Sequence, residues 1–226
     1  MEPQNPTLSV TVMKIGVLGS GSVGRSLGKG FASNGHNVKI GSRTPEKQEV
    51  QDWLRSTKGN VSAGTFSDAT AHGEIVVLCC LGEATEEVIK LAGTTNFEGK
   101  LVIDATNPLD FSKGMPPGLF VGTTDSLGER VQRMLPNAKV VKCFNIVNNQ
   151  TMTNPRMKEG LPDMIICGND EGAKRQVASL LKEFGWGDPI DIGGIEGARW
   201  LEAYTALWVR LAMKLGSWSI AAKFLK

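Results

Sequence analysis

Little in this sequence points toward a metal, a nucleic acid or a membrane. Its 226 residues carry four cysteines, none in a C-x-x-C or His-containing ligand spacing, which excludes zinc and a disulfide framework as organising features. Cys79 and Cys80 are adjacent, while Cys143 and Cys167 stand apart; buried, reduced thiols of a cytoplasmic protein are the expectation. With 25 basic and 23 acidic residues the net charge is +2, too balanced for a nucleic-acid surface. No apolar stretch reaches the length of a membrane span, and Arg210 and Lys214 interrupt even the apolar C-terminal region. Residues 1–12 lack the basic start and long apolar core of a secretory signal and read as a loose leader.

Proton-transfer groups are scarcer still. There are two histidines, His36 and His72, and one tyrosine, Tyr204. Both histidines precede expected strands, which places them at the end of a sheet away from ligands. Tyr204 has Trp208 four residues on rather than Lys, and reads as packing. Carbonyl reduction needs a positioned acid. A bare hydride passed between two flat heterocycles needs alignment instead, so a flavin-like or deazaflavin partner suits this inventory better than an alcohol.

What is present centres on Lys14–Lys47. The apolar run Ile15-Gly16-Val17-Leu18 leads into Gly19-x-Gly21-x-x-Gly24, that is Gly19, Ser20, Gly21, Ser22, Val23 and Gly24. In a dinucleotide site the first glycine makes the strand-to-helix turn and the second admits the pyrophosphate. The third lets the helix pack closely, and free N–H groups at the helix start face the phosphates. Val23, Leu27 and Phe31 recur every four residues as one buried stripe, and Asn34-Gly35 ends the helix. After the strand Val38–Ile40 the tip reads Gly41-Ser42-Arg43-Thr44, with no acid before Glu46. An NAD site carries a carboxylate here for the ribose hydroxyls. Arg43, Ser42 and Lys47 instead suit a 2′-phosphate, so NADP(H) is the expected cofactor. Thr44-Pro45 reads as the start of the next helix.

Beyond this unit, helical patterns at about Glu46–Arg55, Glu83–Leu91, after Ser126, and over Ala173–Phe184 alternate with strand-like runs. Those runs are Val61–Ala63, Ile75–Cys80, Leu101–Ile103, Lys139–Phe144 and Met164–Cys167. The order predicts an α/β, doubly wound parallel sheet. From Ile195 to Phe224 the pattern is helical but apolar on most sides, implying a C-terminal helical segment over 191–226 beside a cofactor domain over 1–190. That segment is a pocket wall, a homodimer interface, or both.

Ligands of such sheets lie beyond the carboxyl ends of the strands. Cys80 and Leu81, with Gly82 for ribose passage, fall there. Asn107 can bond a nicotinamide carboxamide, with Pro108 fixing its turn. Asn145, Ile146, Val147 and Asn148 offer groups to a second ligand. No catalytic side chain and no metal ligand are assigned. Phe111–Phe120, with Gly114, Pro116, Pro117 and Gly118, reads as a loop at the site mouth.

The segments GSGSVG and GSRTPEK, Asp104-Ala-Thr-Asn-Pro-Leu109, Lys142-Cys-Phe-Asn145 and Gly194-Ile-Glu-Gly-Ala-Arg-Trp-Leu-Glu202 together resemble the coenzyme F420-dependent NADP oxidoreductase family over essentially the whole chain. They are also similar to the NADPH-binding domain of the STEAP metalloreductases. The resemblance implies a Rossmann-like fold and hydride transfer between NADP(H) and F420. It also implies a 2′-phosphate held by Ser20, Ser42, Arg43 and Lys47, and a deazaflavin pocket along Asn145–Val147. Archaeal members carry His where this chain has Asn145, which leaves a flavin, a ferric chelate or a small imine open as the acceptor. A non-enzymatic NADPH sensor is the third reading.

Overall fold

A computed structural model of the chain describes residues 11–225, and the first ten residues of the expected leader lie outside it. The opening unit runs β1 (Lys14–Leu18), α1 (Ser22–Ser33), β2 (Asn37–Gly41), α2 (Gln48–Ser56), β3 (Val61–Gly64) and α3 (Phe66–His72). Next come β4 (Ile75–Leu78), α4 (Thr85–Ala92), β5 (Leu101–Asp104), a small hairpin of β6 (Leu109–Asp110) and β7 (Gly118–Leu119), and α5 (Leu127–Met134). The last part is β8 (Lys139–Lys142), α6 (Asn149–Thr153), β9 (Ile165–Gly168), α7 (Glu171–Glu183), β10 (Ile190–Asp191) and α8 (Ala198–Leu215).

The main sheet has the order β10-β9-β8-β5-β4-β1-β2-β3. From β3 to β8 every neighbouring pair is parallel, so six strand tips open at one edge, the edge where ligands bind. Two apolar layers hold it. Leu27, Phe31, Trp53, Val177 and Leu180 cover one face, and Phe66, Val88, Ile89, Phe97, Val131 and Leu135 cover the other. With both faces covered, Ile75–Leu78 is buried at every position, which is why it reads as a continuous apolar run.

Several expectations are corrected. The sheet is not wholly parallel: β9 runs antiparallel to β8, because the chain returns through 143–164 from the end where β8 finishes. The strand expected to reach Phe144 stops at Lys142, since Phe144 takes φ 68°, left-handed and rare for a bulky residue. Helix α3 was not anticipated, although Thr65 and Asp68 form a reciprocal capping box at its start. The loop over 111–120 is the tip of the β6–β7 hairpin, with Leu109 paired to Leu119.

The closing helix does not run to Phe224. It ends at Leu215, where Gly216 adopts the left-handed cap. The apolar residues beyond it fold back instead: Trp208 Nε1 donates to Ile220 O at 2.8 Å, and Asp163 N donates to Ala222 O at 2.9 Å.

Both histidines lie at the amino ends of strands. His36 Nδ1 accepts from Met13 N at 3.2 Å, and its Nε2 meets Glu183 at 2.8 Å. His72 Nε2 lies 3.1 Å from Asn37 O.

Helices α5 and α8 are locked by a forked pair: Arg199 Nε and Nη2 donate to the two Glu129 oxygens at 2.8 and 2.5 Å. That hydrogen bonding holds the Glu129 carboxyl below its ordinary value of 4.5, against a smaller opposing effect of burial. A depressed carboxylate contributes stability above its unfolded pKa and loses it as pH falls through the folded one. Acid titration is therefore expected to loosen the α5–α8 contact only below about pH 4.5, seen as loss of near-ultraviolet dichroism from Trp200 and Trp208. An Arg199→Met variant whose acid transition matched the wild type would refute that assignment.

Candidate active site

The glycine-rich turn between β1 and α1 is built by close approach. Gly19 sits at φ 130°, and a Cβ there would fall 2.8 Å from Cys79 O. A Cβ on Gly24 would fall 1.8 Å from Gly19 O, so the helix start is pressed directly onto the turn. Gly21 is different: nothing lies within 4 Å of where its Cβ would be. It is the N-cap of α1 and supplies no side-chain hydrogen bond, and the first turn holds no acidic residue. The first N–H groups of α1 therefore face open space with a positive dipole end behind them, a ready anion seat.

Beside it the tip of β2 is a hydroxyl-bearing, cationic corner. Ser20 Oγ and Ser42 Oγ are 3.4 Å apart, and Thr44 N donates to Ser42 Oγ at 3.2 Å. Arg43 reaches across to α4, where Glu87 accepts from its Nη2 at 2.8 Å; both side chains are about 60% exposed. Such an exposed pair is worth about 0–1 kcal/mol, so it parks the guanidinium without consuming it. Lys47 Nζ meets Glu49 at 3.1 Å. Thr44-Pro45 does not start α2, which begins at Gln48. Pro45 instead occupies a turn closed by Lys47 N to Thr44 O at 3.2 Å, which leaves Lys47 as N-cap facing the corner.

These elements enclose a cavity of about 420 Å³. Of the expected cofactor residues it brings together Gly19, Ser20, Gly21, Ser22, Val23, Ser42, Arg43, Lys47, Cys80 and Leu81, and no Asp, Glu, His or Tyr lines it. Gly24 lies behind the turn. Thr44, Phe66, Cys79, Ala84 and Val88 line it too; Thr44 was read as part of the corner and as a helix start, and the other four carried no ligand expectation. Phe66 belongs to the unanticipated α3, while Ala84 is the N-cap of α4 and Val88 shows only as part of its apolar stripe. Burial pushes the Cys80 thiol up to about 11 and Cys79 well above its usual range. Both are neutral lining, not nucleophiles. Gly82 does not face the cavity; a Cβ there would fall 2.0 Å from Asn107 O, so its smallness serves the 107–108 turn rather than a ribose.

Asn107 and Asn145 meet at the tips of β5 and β8. Asn107 Nδ2 donates to Asn145 O and Asn145 Nδ2 donates to Asn107 Oδ1, both at 3.0 Å. Thr205 of α8 closes the set, its Oγ1 donating to Asn145 O at 3.0 Å. Asn145 Oδ1 is buried without a partner, an acceptor whose isolation costs about 1–3 kcal/mol. Ile146 and Val147 are buried in the core. Asn148 caps α6, accepting from Gln150 N and Thr151 N at 2.9 Å. Pro108 follows Asn107 into the hairpin, whose Phe111 and Met115 are about half exposed; neither Asn107 nor Pro108 nor the hairpin lines the cavity. A larger cavity of about 750 Å³ lies elsewhere, between α8 and the returning tail.

An α/β sheet with a glycine-rich phosphate turn, a cationic corner free of carboxylate lining, and amides at the next strand tips is the frame of an NADP-dependent oxidoreductase. The comparisons with known proteins agree. Residues 14–108 match the family model described as NADP oxidoreductase coenzyme F420-dependent. The F420-dependent NADP reductase of Methanocaldococcus jannaschii is 32% identical over 91% of this chain and 95% of its own length. A crystal structure from Arthrobacter sp. FB24, assigned as an F420-dependent NADP reductase, superposes with TM-score 0.90 at 41% identity, covering 95% of this chain and all of that one. Rat metalloreductase STEAP3 is 28% identical over 84% of this chain but only 36% of its own length. The chain belongs to the coenzyme F420-dependent NADP oxidoreductase family. Among the described residues no helix is long and apolar enough to cross a membrane, and no cluster of potential metal ligands occurs.

Proposed function

We propose that this enzyme catalyses reversible hydride transfer between NADP(H) and coenzyme F420. The carrying observation is the chemistry at the tips of β5 and β8. The polar side chains that meet there are amides and a hydroxyl, Asn107, Asn145 and Thr205, with neither His nor Tyr among them. Such a site can align and exclude water, but it has no acid to protonate an alkoxide. Bound NADP(H) supplies or accepts the hydride at C4 of its nicotinamide. The residues do the rest: Ser20, Ser42, Arg43 and Lys47 grip the 2′-phosphate, α1 and Gly21 the pyrophosphate, and Asn107 the carboxamide. The acceptor side of the site is the tip of β8 at Asn145–Asn148, where the side chains of Ile146 and Val147 serve as buried support.

Anaerobic mixing of reduced F420 with NADP⁺ tests this. Growth of the oxidised deazaflavin band is expected, and no change would sink the F420 assignment. The STEAP3 likeness favours one alternative, NADPH-dependent reduction of a flavin or a ferric chelate, and the same cuvette with flavin and ferric citrate reads it out.

The division into a cofactor domain over 1–190 and a closing segment over 191–226 fits this scheme, with α8 as pocket wall. Helix α8 also exposes Trp200, Leu207, Leu211 and Leu215 at helical spacing, the last two beside the cavity under the returning tail, a stripe that suits a homodimer interface. Light scattering is expected to give twice the chain mass, and one chain mass across micromolar dilution would remove the dimer. Four free thiols accord with a cytoplasmic setting.

A further inference from the structure

Lys142-Cys-Phe-Asn145 and the turn of α8 ending at Glu202 take no part in gripping phosphate, yet the fold brings them together. Lys142 is fully buried, and its ammonium donates to Asp104 Oδ2 at 3.0 Å, Thr106 O at 2.7 Å and Glu202 Oε1 at 2.7 Å. Its three protons have three acceptors. Burial alone pulls this ammonium down, but the Asp104 and Glu202 carboxylates override it and hold the group charged. One cation faces two anions, and the start of α5 balances the surplus: Leu127 N and Gly128 N each donate to Glu202 at 2.9 Å.

Asp104 and Lys142 both converge on Thr106. Its N and Oγ1 donate to Asp104 Oδ1 at 2.9 and 2.6 Å, while its carbonyl accepts from Lys142 Nζ at 2.7 Å. All the polar groups of the residue before Asn107 are thereby fixed. On the other side Asn145 is held by Thr205, three residues beyond Glu202 on the same face of α8. Phe144, in its left-handed conformation, turns the chain between Lys142 and Asn145. A backbone outlier of this kind costs about 1–3 kcal/mol and persists only where its surroundings enforce it. Buried charge triads add less stability than apolar packing of equal volume, so stability alone does not account for this one.

We propose that Glu202 and Thr205 are positioning residues through which α8 sets the Asn107 amide against the nicotinamide. Glu202 acts through Lys142 and Thr106, and Thr205 acts through Asn145. The inference rests on the reading that Asn107 meets the carboxamide.

The test is equilibrium binding to the full-length protein, independent of any acceptor. NADP⁺ carries the nicotinamide half, and adenosine 2′,5′-bisphosphate lacks it. Glu202→Gln and Thr205→Val are each expected to weaken NADP⁺ about three- to ten-fold, the worth of one hydrogen bond, and to leave the bisphosphate unchanged. A merely structural role would weaken both ligands in proportion, and that result overturns the proposal. So does an unchanged NADP⁺ affinity. If Glu202→Gln does not fold, Thr205→Val decides, because it leaves the charged cluster intact. Asn107→Ala separates the two levels. If it leaves the ratio of affinities unchanged, the reading of Asn107 has failed; if it collapses the ratio and neither α8 variant does, only the proposal has failed.

Discussion

Replacing Arg43 with alanine is expected to weaken NADP(H) by about 1.5–3 kcal/mol, roughly ten- to hundred-fold, and to leave NADH nearly unchanged. The guanidinium stands at the tip of β2 beside two serine hydroxyls, in a cavity without a lining carboxylate. A 2′-phosphate brings up to two negative charges and three acceptors, more than the single Glu87 carboxylate that now holds Arg43. The phosphate therefore wins the exchange, while an unphosphorylated ribose offers Arg43 nothing comparable. Because the side chain is more than half exposed, solvent and salt screen the contact, which places the loss toward the lower end at physiological ionic strength. Titrating both dinucleotides against wild type and variant is the check. Equal losses for NADPH and NADH would show that Arg43 does not read the phosphate.

The largest effect on stability is expected at Lys142. Its replacement by methionine leaves Asp104 and Glu202 facing each other in a site where neither is more than 2% exposed. Breaking one partner out of a buried ion cluster costs about 3–5 kcal/mol, a large share of the roughly 5–15 kcal/mol that a whole domain has. Urea unfolding should show a lower midpoint with an unchanged slope. A loss below about 1 kcal/mol would mean that water or protonation relieves the carboxylates, and the cluster would not be the fixed frame described above.

The cavity at the glycine-rich turn and the β2 corner was legible in the sequence because its parts are local. Three glycines at fixed spacing, a helix stripe and a strand tip lacking an acid all fall within one βαβ unit, where spacing dictates position. The parallel core was legible for the same reason: the apolar run read as Ile75–Cys80 suits a strand covered on both faces, and β4 fills its first four positions. The direction of β9 was not, because an apolar run reads the same either way along the sheet. The continuation of α8 past Leu215 was misjudged on hydrophobicity, which records burial but not helicity; Gly216 was the signal that outweighed it. Thr205 and the Lys142–Glu202 pair escaped because 60 residues separate partners whose only link is tertiary. A lysine in a strand and a glutamate in a helix look like surface residues until their neighbours are known.

The reversal at Gly216 carries a practical consequence. It lays Trp218 against Trp208, with ring centroids 5.7 Å apart, and brings the Trp218 carbonyl to within 2.6 Å of Asn148 Nδ2, just past the tip of β8. One indole of this pair is buried and the other half open to water. One half-open indole among the five tryptophans is thus tethered to that rim, where a displacement of Asn148 would change its surroundings.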